Sequence, residues 1–339
     1  MKLTPQEVFA QARERKASDV HVMSGYPIYL RIDGELTPLS DEKMTPQATE
    51  AFVRAVLGEE AWQRFSQDRE IDRSFAAEGD GRLRVNCSFE RGQPSLVARI
   101  IPAQIPALAD IGLADIAGPL CALTDGLILL TGPTGSGKST SLAAMIQHIN
   151  RTRAASIVTL EDPVEFLFPF GKSVIRQREL GSDFLSFPEA LRHVLRQDPN
   201  VIMVGEMRDL ETIAATLTLA ETGHLILATL HTPNAVQAID RIIDVFPPHQ
   251  QSQIKSQLSL SLRVVIAQKL VPSAKRGRIA VREILINTSA VANIIREHRL
   301  QELPSVLQTG GEDGMRTFAK DAERLVKEGV ITKEVGEGV

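Results

Sequence analysis

Leu127–Thr140, LILLTGPTGSGKST, restricts the possible folds of this chain more than any other stretch. Four apolar residues run into a glycine-rich turn, and a helical stretch, LAAMIQHI, follows it. Gly132, Pro133, Thr134, Gly135, Ser136, Gly137, Lys138 and Ser139 match the spacing G-x-x-x-x-G-K-[ST], with Thr140 directly behind. Glycines at these places let backbone N–H groups turn inward around an anion, and the next helix adds the positive end of its dipole. Lys138 is placed to reach β- and γ-phosphates, and the Ser139 hydroxyl to ligate Mg²⁺. Such a loop needs a buried strand before it and a helix after it, so the surrounding fold is expected to be α/β.

The rest of the C-terminal two thirds keeps that texture. SIVTLED, NVIMVGE and HLILATLH each carry a short continuous apolar run, as strands buried on both faces do. PEALRHVLRQ, LETIAATLTLAE and AVQAIDRII lie between or after them with helical periodicity. Strands alternating with helices around a phosphate loop predict a mostly parallel sheet with its ligand at the strands' C-terminal ends. Three segments put polar groups at strand ends. Glu161 and Asp162 follow TL before Pro163, Glu206 follows VIMVG, and His224 and His231 bracket LILATL. Phosphoryl transfer requires a metal, a carboxylate that orients or deprotonates water, and a donor that senses the γ-phosphate. Glu206 stands where an acid holding Mg²⁺ through water belongs. Glu161 is the candidate for positioning the attacking water, and the two acids could exchange roles. His231 is the candidate γ-phosphate contact.

Residues 1–101 alternate short helices and short strands and hold no catalytic constellation of their own. Thr4, Pro5 and Glu7 read as a capped helix start, an Asp33-Gly34 turn follows PIYLRI, and a helix from Thr45 to Phe65 is expected to break at Gly58. EIDRSFAA and RLRVNCSFE are joined by the turn-rich EGDGR, and PSLVARII completes the strands. Pro102–Gly112, with two prolines, reads as a linker and hinge, leaving residues 113–339 as the second domain.

Bulk composition narrows the function. The 339 residues carry a formal net charge of −4 and only 4% aromatic side chains, which argues against nucleic-acid binding by a basic stripe or stacking platform. Two cysteines, Cys87 and Cys121, fit no metal spacing and point to a reducing compartment, Cys87 as a buried strand residue. No run approaches the roughly 20 apolar residues of a membrane span. A cytoplasmic protein is expected, peripheral to any membrane machine.

GPTGSGKST, TLEDPVEF, VGEMRD and TGHLILATLHT together resemble the Walker A, aspartate, Walker B and histidine boxes of the secretion-type ATPases that power type IV pili and type II secretion. ASDVHV, RIDGEL, DPNVIMVGEMRDLETI and IDRIIDVFP are similar to the pilus-retraction branch of that family, over about residues 4–330. The resemblance implies a PAS-like N-terminal domain, a RecA-like C-terminal domain, ATP and Mg²⁺ as ligands, and a homo-hexamer at the inner-membrane base of a pilus machine. It adds Asp162 and His224 to the nucleotide-binding set. It also implies arginines reaching a neighbour's nucleotide from the N-terminal domain, at Arg84 and Arg99, with Arg82, expected on the other strand face, as the weaker candidate. The implied partners are an inner-membrane platform protein and a second retraction motor. Ala290–Glu297, AVANIIRE, departs from the family's AIRNLIRE at Ala292, which touches coupling to the pilus rather than hydrolysis. With two cysteines the chain cannot hold the four-cysteine zinc element of many extension ATPases. Extension or type II secretion, an accessory retraction ATPase, and a nucleic-acid translocase stand as the competing readings.

Overall fold

The computed structural model describes residues 4–32, 34–77, 81–101, 104–275 and 277–339. Asp33 of the expected Asp33-Gly34 turn, residues 78–80 of the EGDGR turn, and residues 102–103 of the expected linker lie outside the described residues. By contact density the chain forms two units, one of residues 1–104 with 163–167, the other of 105–162 with 168–339.

In the first unit, helix α1 (Pro5–Glu14) begins with a reciprocal cap. Thr4 Oγ1 accepts from the Glu7 amide, and the Glu7 carboxylate accepts from the Thr4 amide. Strands β1 (Asp19–Val22), β2 (Tyr29–Ile32) and β3 (Glu35–Pro38) follow. Helix α2 (Pro46–Asp68) is capped by Thr45 and interrupted at Gly58, whose φ of 75° and ψ of 170° are not helical. Strands β4 (Glu70–Ala77), β5 (Gly81–Glu90) and β6 (Gln93–Ile101) complete an antiparallel sheet of order β3-β2-β1-β6-β5-β4 among the described residues. Both helices pack on one sheet face, where Val8, Phe9, Phe52, Val53, Leu83 and Val85 share a core. This is the PAS-like layer.

The other sheet face is lined with arginine. Arg84 and Arg99 are cross-strand partners, and Asp19, also on this face, pairs with Arg99 at 3.1 Å and Arg31 at 3.9 Å. Leu83, Val85 and Cys87 point into the core, so Arg82 and Arg84, two residues apart, share the opposite face. The expectation that Arg82 faces away from Arg84 is therefore wrong: a two-residue step returns a strand side chain to the same side. Arg82 donates to Ser74 Oγ at 2.6 Å.

The second unit begins with a segment that does not behave as a free tether. Leu108 is buried and Ile105 and Ile111 pack on the unit's core, so most of the expected linker belongs to this unit. Then come α3 (Ala114–Cys121), β7 (Gly126–Thr131), α4 (Lys138–Thr152), β8 (Ser156–Glu161), β9 (Val174–Glu179), α5 (Phe187–Val194), β10 (Val201–Val204) and α6 (Leu210–Glu221). They are followed by β11 (Leu225–Thr229), α7 (Ala235–Asp244), α8 (Pro248–Ser261), β12 (Leu262–Pro272), β13 (Arg278–Ile286), α9 (Ser289–Arg296), α10 (Leu303–Thr309), α11 (Phe318–Lys327) and α12 (Lys333–Glu337).

The sheet order is β13-β12-β7-β11-β10-β8-β9, parallel throughout except for β13. Burial on both faces explains the continuous apolar runs. Leu127 and Leu129 face a core shared with α5 to α9, while Ile128 and Leu130 face another shared with α3 and α4. Helix α9 holds AVANI and buries Val291, Ile294 and Ile295, leaving Ala292 at its half-buried flank. Among the described residues no helix is long and apolar enough to cross a membrane.

Candidate nucleotide site

Four working segments leave the C-terminal ends of adjacent parallel strands. In spatial order they are the phosphate loop after β7, His231 after β11, Glu206 after β10, and Glu161 ending β8. With about 4.8 Å between neighbouring strands, the row spans about 14 Å. Hydrogen bonds beyond the regular strands hold the tips in register. Leu230 N donates to Leu130 O at 3.0 Å, Gly205 N to Leu160 O at 2.8 Å, and Met207 N to Thr229 O at 3.1 Å. Two threonines add side-chain ties, Thr131 Oγ1 to Thr232 O at 2.6 Å and Thr229 Oγ1 to Gly205 O at 2.5 Å.

The loop itself has the backbone an anion cradle needs. Gly132, Gly135 and Gly137 have φ values of 143°, 77° and 87°, which side-chain-bearing residues rarely adopt. A Cβ on Gly132 would come within 2.3 Å of the Gln268 carbonyl oxygen and 2.7 Å of Ser136 Oγ, so only glycine fits. Gly137 caps α4, whose first turn contains Lys138, Ser139 and Thr140. The Lys138 ammonium is drawn onto the loop, donating to Gly132 O at 2.7 Å and Pro133 O at 3.1 Å. Ser136 Oγ is buried with no hydrogen-bond partner among the described residues. An orphaned hydroxyl beside a glycine turn with a buried ammonium fits a phosphate chain. A cavity of about 340 Å³ lies against the loop, lined in part by Asp110, Gly137, Thr140, Leu270, Arg278 and Ile279.

The two acids differ in setting. Glu161 is buried, and its Oε1 accepts from Thr159 Oγ1 at 2.6 Å and Gln177 Nε2 at 3.1 Å. Gln177 lies on β9, so this contact reaches the side of β8 away from the loop. Glu206 lies one strand nearer the loop, between His231 Nε2 at 3.2 Å and Arg208 at 2.8 Å. Burial pushes the Glu206 carboxyl up, but the Arg208 hydrogen bond and the charges of His231 and Arg208 outweigh it and hold the group below its ordinary value. Arg208 also reaches Asp162 at 3.7 Å, which ties the aspartate and Walker B segments together. Arg208 lies in VGEMRD, and its bridging position was not evident from the motif alone.

Within the second unit, His224 is the predicted site residue not brought to this row. His224 precedes β11, and its Nδ1 lies 3.1 Å from Leu219 O, at the N-terminal end of the sheet. The five residues of β11, about 16 Å of strand, lie between it and His231. Parallel strands place a residue before a strand and a residue after it on opposite edges, so His224 cannot share the phosphate edge within this chain. Arg84 and Arg99 lie in the first unit.

Comparison with known proteins places these features in company. Residues 1–336 match the model of the family described as type II/IV secretion system protein. The type IV pilus retraction ATPase PilT of Pseudomonas aeruginosa is 40% identical over 328 residues, 97% of this chain and 95% of its own. A twitching motility protein of Neisseria gonorrhoeae is 44% identical over 307 residues, 90% of this chain and 82% of its own. A crystal structure of the pilus retraction motor PilT with bound ADP superposes with a TM-score of 0.91 at 43% identity, covering 99% of this chain and 96% of that one.

Proposed function

The chain belongs to the type II/IV secretion system protein family, and from that premise we propose that it is an ATP-hydrolysing motor that retracts type IV pili. The observation that carries the chemistry is the single row of strand tips: glycine cradle with Lys138, then His231, Glu206 and Glu161. In this reading the loop amides and Lys138 hold the β- and γ-phosphates, and the base and ribose occupy the cavity beside Gly137 and Thr140. Ser139 and Glu206 would hold Mg²⁺, which would supply charge neutralisation on the phosphate oxygens. Water attacks the γ-phosphorus, the bond to the β-phosphate oxygen breaks, and a carboxylate takes the water's proton. We assign the larger share of that work to Glu206, which stands nearer the loop and is kept ionised by Arg208. Glu161 and Asp162 complete the acidic edge, and His231 reports the γ-phosphate to Glu206.

The assembly is a ring of six copies. Arg84 and Arg99 of one copy neutralise charge on the neighbour's transferring phosphoryl group, as arginine fingers do for about 10³–10⁵ in rate. Binding closes one copy on the next, and hydrolysis reopens them. Force passes to a membrane platform protein of the pilus base, with a second retraction motor as a further partner, from a cytoplasmic position. Glu206→Gln tests the site: turnover should fall about 10²–10³-fold, the scale of a lost acid–base group, and an unchanged rate would reject the assignment. A deletion strain tests the role. Hyperpiliated, non-motile cells are expected, whereas bald cells would mean extension.

A further inference from the structure

A buried polar chain braces the phosphate loop, and its Ser141, Gln268 and Arg282 also line the cavity beside the loop. Gln268 on β12 is 1% exposed and follows Ala267, the register partner of Thr131 at the loop's entrance. Its Nε2 donates to the Ser136 carbonyl at 2.6 Å. Its Oε1 accepts from Ser141 Oγ on α4 at 3.0 Å and from Arg282 Nε on β13 at 3.4 Å. Arg282, Gln268's partner across the strands, is also buried, and its backbone amide donates to Asp321 on α11 at 2.8 Å. Asp321 in turn accepts from Arg316 at 2.7 Å and Arg324 at 2.9 Å. The glutamine is thus fixed from behind before it touches the loop.

Its contact falls on a peptide of the glycine turn, the Ser136–Gly137 unit at the start of α4. A cradle of inward N–H groups forces the intervening carbonyls outward, and a buried outward carbonyl requires a donor. Gln268 is that donor for Ser136. The Ser136–Gly137 peptide has glycine on its far side and Gly135 just before Ser136, both at positive φ, so little in the local backbone opposes rotation of this unit. A rotated peptide would aim its carbonyl, rather than its N–H, at the phosphates. We propose that Gln268 is a positioning residue for nucleotide binding, locking the Ser136–Gly137 peptide in the anion-binding orientation. The proposal rests on the loop binding ATP, as proposed above.

Two variants test it in the full chain: Gln268→Met, which keeps the length without a donor, and Gln268→Glu, which keeps the acceptor for Ser141 and Arg282 without the amide donor. Each should raise KM for ATP and the Kd of a fluorescent ADP analogue about tenfold or more, the scale of one buried unsatisfied carbonyl. Turnover at saturating ATP should stay within about threefold of wild type. Wild-type KM and Kd in either folded variant would overturn the proposal, as would a fall in kcat with KM unchanged, the pattern of a merely structural residue. Absence of ATP turnover and ADP binding in the wild-type protein would instead strike the ATPase reading.

Discussion

Lys138 and Glu206 are the two side chains through which the site is most directly questioned. Lys138 is buried and its ammonium already lies on the loop carbonyls. Its removal deletes charge-assisted bonds to phosphate of about 1.5–3 kcal/mol each, so Lys138→Ala should weaken ATP binding at least about tenfold in a fluorescence titration. Glu206 permits a pH test. Its carboxyl is held below the ordinary value in the folded chain, despite burial, by Arg208 and His231. A depressed folded value contributes stability that is complete above the unfolded value and is lost as pH falls through the folded one. The stability difference between wild type and Glu206→Gln should therefore be constant above about pH 5 and shrink steadily below pH 4.5, read by thermal melts across that range. Lys138 stood out in the sequence through the glycine spacing of its loop, and Glu206 through its place two residues beyond a short apolar strand. Gln268 did not, since its contacts to Ser136 and Ser141 span 132 and 127 residues and no motif records them. His224 was misjudged for a related reason: a motif contains both histidines, but only the direction of the strand decides which edge each one occupies.

At the scale of elements, the strand–loop–helix unit of β7 and α4 is the part most tightly specified by local chemistry. Its apolar strand, glycine spacing and following helix all agree, and so do the capped starts of α1 and α2. Gly132 marks where the unit meets its neighbour, because a side chain there would collide with the β12 backbone. Gly132→Ala should destabilise the fold by about 1–3 kcal/mol, the usual cost of a disallowed backbone, and abolish nucleotide binding, as thermal melts and titration would show. The segment 105–112 was less legible. The two prolines of 102–112 suggested a linker, yet Ile105, Leu108 and Ile111 give this segment an apolar anchor that only the packed core reveals.

For the whole molecule, the central expectation is that subunits complete one another. Arg84→Ala with Arg99→Ala should slow hydrolysis far more than it weakens ATP binding. Mixing that double variant with Lys138→Ala protein should restore part of the lost turnover, because each inactive copy supplies what the other lacks; no recovery in the mixture would place the arginines outside a shared site. The mostly parallel second sheet was readable from residue texture alone, whereas the arginine-lined face of the first sheet emerged only once strand pairing aligned Arg84 with Arg99. The cysteines have a practical consequence for watching such a motor turn. Cys87 and Cys121 are buried, and burial raises both thiols to about 12, so neither presents the thiolate that alkylating reagents attack. A maleimide dye should therefore leave the native chain unlabelled and react only with a cysteine introduced on the surface. The unaltered protein is already a suitable background for single-molecule distance measurements between its two units during turnover.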